Sequence, residues 1–332
     1  MTRSHIASHQ HRVTQIRIAG RAGAVIASAV AVAVTATGPA AGATGPRSAG
    51  MGDWAQFGFS ASHGGFNPFE HVLSPANVSK LTRRWSLPLN AGSDTSSPVV
   101  ADGVVYAGSD GGVLYARQAT TGLLLWSFSG ALGDHIVSAP AVVNGVVYVS
   151  GNSHMYALAA ATGQELWSFG TPFREESAPT VVNGAVYFSS ANGNVDALAA
   201  ASGHKLWSFT ATGQHTSVAG SPAVANGLVY IGADINFTQT GATFYALLAT
   251  TGKKVWTFAR CCGFTSSAAV ANGVVYLGEN SSLLALDAAT GRELLILAFS
   301  SSVADVEPAV ANGMLAFETG FKGQLYAFGL TS

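Results

Sequence analysis

Apolar positions along this chain fall in short bursts, without the 3.6-residue period of a helix. Val99-Val100-Ala101 is followed by Asp102-Gly103 and then by Val104-Val105-Tyr106, and the same cadence returns further on. Brief β-branched and aromatic runs separated by Asn-Gly or Asp-Gly pairs read as strands joined by tight hairpin turns, because both central residues of such a turn need positive φ. The cadence is a repeat. Ser97-Pro-Val-Val-Ala-Asp-Gly-Val-Val-Tyr106 is echoed by strings beginning at Ala139, Ala178, Ser221, Ser267 and Glu307. Their second residues, at 98, 140, 179, 222, 268 and 308, are 42, 39, 43, 46 and 40 residues apart.

Each repeat divides into four short strands, A to D. Strand A is Pro-x-Val-x, and strand B follows the Asn-Gly turn. Strand C resembles Leu114-Tyr115-Ala116. A second turn centres on Gly122, Gly163, Gly203, Gly252 or Gly291, and strand D carries Trp126, Trp167, Trp207 or Trp256, with Leu295 in the fifth repeat. A period of about 40–45 residues made of strands alone is that of a four-stranded propeller blade. The sixth repeat stops after strand C, and the segment Arg84–Leu89, with Trp85, supplies an orphan strand D. The prediction is an all-β, six-bladed β-propeller of four-stranded blades, its ring closed by Arg84–Leu89 completing the last blade. Residues 84–332 form this propeller, preceded by an extended lead-in over 44–83. Closing the ring removes an exposed strand edge.

Residues 1–43 read differently. Four arginines and no acid precede or begin an apolar stretch over 22–37, and Ala41-Gly-Ala43 fits a small-x-small cleavage site. This predicts an export signal cleaved after Ala43, and a secreted or cell-envelope location. Charged residues make up only 10% of the 332 residues, against about 25% in ordinary globular chains. Without residues 1–43 the chain holds 12 basic and 17 acidic residues. A mildly acidic chain with no basic run is a poor nucleic-acid binder.

The A–B and C–D turns share one face of such a propeller, and their chemistry is monotonous. The B–C turns and D–A connections share the other face and vary, so a site belongs there. Carboxylates converging on the axis bind Ca²⁺ through oxygen; the candidates are Asp94, Asp134, Glu175, Asp305 and Glu307. An ordinary solvated rim is the simpler reading. Cys261 and Cys262 are the only cysteines and lie beside Arg260 on one D–A connection. In an exported protein a vicinal disulfide stapling the loop, a ligand contact, and free or intermolecular thiols all stay open. No serine elbow, phosphate loop or zinc spacing is present.

The segments Ala116…Thr121-Gly122…Trp126, Ala157…Thr162-Gly163…Trp167 and Ala246…Thr251-Gly252…Trp256 resemble the signature of the pyrroloquinoline quinone (PQQ) repeat, or quinoprotein-like, β-propeller family. The lead-in Asp53-Trp-Ala-Gln-Phe-Gly-Phe59 through Trp85 is also similar to that family. The family's usual Asp survives only as Asp287. The resemblance implies one of two functions. The first is a non-catalytic module that binds a protein or cell-envelope ligand and needs no cofactor. The second is a PQQ- and Ca²⁺-dependent dehydrogenase of alcohols or sugars. In the second, Cys261, Cys262, Arg260 and Arg174 would touch the quinone and the rim carboxylates the metal.

Overall fold

The computed structural model describes residues 53–329 except 64, 66, 70–71, 88–95, 132–133, 137, 172–176, 191, 212–215, 236–240, 261–262, 265, 280, 300–307, 312 and 320–323. The expected signal over 1–43, the lead-in before Asp53, and the C-terminal residues 330–332 lie outside the described residues.

Every described sheet is an antiparallel meander. Five have four strands, taken in chain order from A to D, and one has three, taken from A to C. The A strands are Val99–Ala101, Ala141–Val143, Thr180–Val182, Thr216–Ala225, Ala269–Ala271 and Ala309–Ala311. The D strands are Leu124–Ser129, Glu165–Gly170, Lys205–Thr210, Lys254–Arg260 and Glu293–Ala298. The turns have the conformation their residues demand. Asp102, Asn144, Asn183, Asn226 and Asn272 sit at φ between 49° and 52°, each followed by a glycine at positive φ.

Consecutive sheets pack face to face, which is why the middle strands are buried on both sides. Five apolar clusters result, each shared by one sheet and the next. At four of these seams a strand-D tryptophan and a strand-B tyrosine donate to one carbonyl of the following sheet. Trp126 and Tyr106 meet at Ala160 O, Trp167 and Tyr148 at Ala200 O, Trp207 and Tyr187 at Ala249 O, and Trp256 and Tyr230 at Ala288 O. At these four seams the tryptophan and the tyrosine together join one sheet to the next.

Trp85 makes the same bond one repeat earlier, donating to Ala119 O at 2.9 Å and lying over Gly122. Residues 84–87 nevertheless join no described ladder, so the sixth sheet ends at its third strand, Gln324–Gly329. Leu325 on that strand is 77% exposed, whereas its counterparts Leu114, Met155, Val195, Phe244 and Leu283 are at most 1% exposed.

The lead-in touches all six A strands. Trp54 O accepts from Val100 N at 2.9 Å, Ala55 O from Val142 N at 2.6 Å, and Gln56 Oε1 from Val181 N at 3.2 Å. Ala61 O accepts from Val224 N at 2.6 Å and Ser62 O from Val270 N at 2.9 Å. A Cβ on Gly65 would meet Ala309 Cβ at 3.4 Å. These valines occupy equivalent places in their repeats. One short segment thus satisfies the inward-facing N–H groups of five sheets and abuts the sixth, as buried backbone donors require.

Candidate binding face

His63 anchors the lead-in. It is fully buried, and its Nε2 lies 3.0 Å from Thr180 Oγ1, whose hydroxyl donates to Pro222 O at 2.6 Å. The threonine proton is committed, so Nε2 carries the histidine proton and donates. Desolvation pushes the His63 pKa down to about 3 and keeps the ring neutral.

A band of serines borders the D–A connections, and its hydroxyls are spent on main chain. Ser96 Oγ accepts from Gly108 N, Ser138 Oγ from Ser150 N, Ser177 Oγ from Ser189 N and Ser266 Oγ from Gly278 N. Ser150 and Ser189 donate onward to Ser177 O and Gly220 O. These serines stitch four connections to their own strand B, and two of those strands to the following repeat. The sequence does not single them out, because a serine in a loop or at a strand end carries no mark of burial.

Asp134 is the expected rim carboxylate that falls among the described residues, and it is 4% exposed. Its Oδ1 accepts from Ser153 N at 2.9 Å and Ser153 Oγ at 2.5 Å. Its Oδ2 accepts from the Tyr156 hydroxyl and lies 3.3 Å from His154 Nδ1. Burial opposes ionisation, but the bonds from Ser153 and Tyr156 outweigh it and hold the carboxyl below its ordinary value. The Ser153 hydroxyl points its proton at Asp134, so it accepts from His154 Nδ1 at 2.8 Å. This is the wrong polarity for a serine nucleophile, whose proton must go to the histidine. The cluster ties the first D–A connection to the second sheet's B–C turn.

Arg260 ends a D strand, its guanidinium 3.3 Å from Glu279 and 3.0 Å from Glu293 of the next sheet, and over the Phe258 ring. Burial raises the Glu279 pKa, Arg260 draws it back, and Glu293 raises it further. Asp287 folds its own turn, accepting from Ala289 N, Thr290 N and the Thr290 hydroxyl.

The structure therefore places Asp134 and Arg260 in separate inter-sheet contacts. Asp94, Arg174, Glu175, Cys261, Cys262, Asp305 and Glu307 lie outside the described residues. Among the described residues no three His, Cys, Asp or Glu side chains converge to hold a metal. No described helix is long and apolar enough to cross a membrane.

Stacked antiparallel meanders, four of them joined by a strand-D tryptophan to the next repeat's turn, define a β-propeller of PQQ-type repeats. Comparison with known proteins agrees. The chain belongs to the PQQ-repeat family described as "Outer membrane protein assembly factor BamB", whose profile matches residues 75–243 and 239–331. It is 30% identical over 158 residues to the dehydrogenase subunit of a quinone alcohol dehydrogenase of Gluconobacter oxydans, covering 41% of this chain and 21% of that protein. It is 31% identical over 153 residues to quinohemoprotein alcohol dehydrogenase ADH-IIG of Pseudomonas putida, with the same coverage. The match spans about a fifth of the length of these curated relatives. A europium-containing methanol dehydrogenase superposes with a TM-score of 0.70 at 15% identity, covering 81% of this chain and 69% of that one.

Proposed function

We propose that this chain is an exported, non-catalytic propeller that binds a protein or another cell-envelope ligand through the face carrying the D–A and B–C loops. The observation that carries this reading is the placement of Asp134. A carboxylate already holding two hydroxyls and a backbone N–H has little left to offer a metal, and Arg260 is likewise engaged with two glutamates. The family match supports a binding role. The frame suits one, since its joints and axis are built from residues the variable loops do not use. The proposal includes a closed six-bladed ring with its seam at Trp85, supported by the Trp85–Ala119 bond that repeats the joint of the other sheets.

The competing reading, a PQQ- and Ca²⁺-dependent dehydrogenase, draws support from the quinone-dependent relatives. In it Cys261, Cys262 and Arg174 would meet the quinone, and Asp94, Glu175, Asp305 and Glu307 the metal. A titration of residues 44–332 with PQQ, with and without Ca²⁺, followed by tryptophan fluorescence, separates the two. Absence of saturable quenching is the expected result. Ca²⁺-dependent quenching at micromolar concentration, lost in Asp305→Ala/Glu307→Ala, would overturn the non-catalytic reading.

A further inference from the structure

Beside Trp85 lies a cavity of about 300 Å³, lined among others by Leu87, Val105, Ala107, Tyr115 and Arg117. Three of these residues depart from the repeat together. Leu87 follows Trp85 by two, where Phe128, Phe169, Phe209 and Phe258 follow their tryptophans. Ala107 stands on strand B where the sister sheets carry Val149, Phe188, Ile231 and Leu277, each at most 2% exposed. Arg117 follows Ala116 on strand C, where Leu158, Leu198, Leu247 and Leu286 are fully buried. Two truncations hollow this seam, and the third change places a cation in its wall.

The cation is only partly satisfied. Arg117 Nη1 donates to Gly122 O at 3.0 Å, and the guanidinium lies 5.5 Å from the centre of the Tyr115 ring. Its Nε is buried and has no hydrogen-bond partner among the described residues. Arg117 lines the cavity, and a carboxylate matches the planar fork of its guanidinium. The rest of the wall is mostly apolar.

We propose that this seam cavity binds a small organic carboxylate. The apolar body lies against Leu87, Val105 and Ala107, and the carboxylate meets Arg117. Pockets of this size and lining commonly hold small ligands, with few polar groups setting orientation. Ser96 lines the cavity and also borders a D–A connection, but none of the carboxylates or cysteines considered for the loop face lines it.

Calorimetric titration of the full chain with benzoate and hexanoate, and with benzamide and hexanamide as neutral counterparts, tests the proposal. The carboxylates should bind saturably and at least about tenfold more tightly than the amides. Arg117→Leu should abolish that preference, and Leu87→Phe should abolish binding of both classes. Both variants install the residue the sister sheets carry, so both should melt no lower than the parent. Absence of saturable carboxylate binding, equal affinity for acid and amide in the parent, or a preference that survives in Arg117→Leu would each overturn the proposal.

Discussion

Trp126 lies against Gly163 of the following sheet so closely that a Cβ added there would stand 2.6 Å from Trp126 Cε3. The indole meanwhile donates to Ala160 O at 2.8 Å. Gly163 has φ of 72°, so two requirements meet at one residue. Gly184 has φ of 75° but no atom within 4 Å of an added Cβ. Gly163→Ala should therefore destabilise the chain by about 2–4 kcal/mol, combining overlap with backbone strain, and Gly184→Ala by only about 1 kcal/mol. Urea unfolding of the pair measures the difference. Equal losses would mean that contact with the indole contributes nothing.

Acid should loosen the lead-in through His63. The unfolded chain takes up a proton near the ordinary value of 6.5, while the folded chain resists until about 3. The unfolded state binds more protons across that interval, so stability falls as pH falls through it. At pH 5 the loss relative to neutrality is about 2 kcal/mol. His63→Asn keeps a side chain tolerant of the observed φ of 54°. It should flatten the stability profile between those two values, and a profile as steep as the parent's would exclude His63 as the source.

Asp134 contributes in a lower window. Its folded pKa is depressed, so its stabilisation is present above the unfolded carboxylate value and lost as pH falls through the folded one. Asp134→Asn should lower stability at neutral pH by about 2 kcal/mol, with the deficit shrinking in strong acid. Thermal melts at both extremes check this. A deficit independent of pH would point to lost shape instead of lost charge.

The amides of Val142, Val224 and Val270 should exchange slowly with deuterium, since Ala55, Ala61 and Ser62 accept from them. Removing residues 44–65 exposes these donors together with those of Val100 and Val181. Each buried donor left unpaired costs about 1–3 kcal/mol. The shortened chain should lose protection first at these five valines. Protection retained there would show that the inner strands hold without the segment.

Much of the frame is legible in the sequence because its rules are local. An Asn-Gly or Asp-Gly pair declares a positive-φ turn within two residues, and four of the first kind and one of the second have the expected angles. The tryptophans declare themselves by repetition, although their partners, such as Ala160 for Trp126, lie about one repeat away. What repeats only once stays hidden. Nothing in Ala55 or Ser62 announces a carbonyl that caps a distant valine, because the recognising atoms are backbone. Asp134 reads as a loop charge until Ser153 and Tyr156 close over it. The cavity by Leu87 shows only once register aligns Ala107 and Arg117 with their counterparts.

The lead-in makes a repeat array behave unlike one. Stacked repeats that touch only their neighbours can fold piecewise, one after another. Here Gln56 reaches Val181 across 125 residues, and neighbouring residues reach sheets at either end of the chain. The first described residues cannot settle until the last repeats exist. Folding should then be slow, as high contact order dictates, and unfolding concerted. A nick in any single sheet loosens the shared hub, and with it every other sheet.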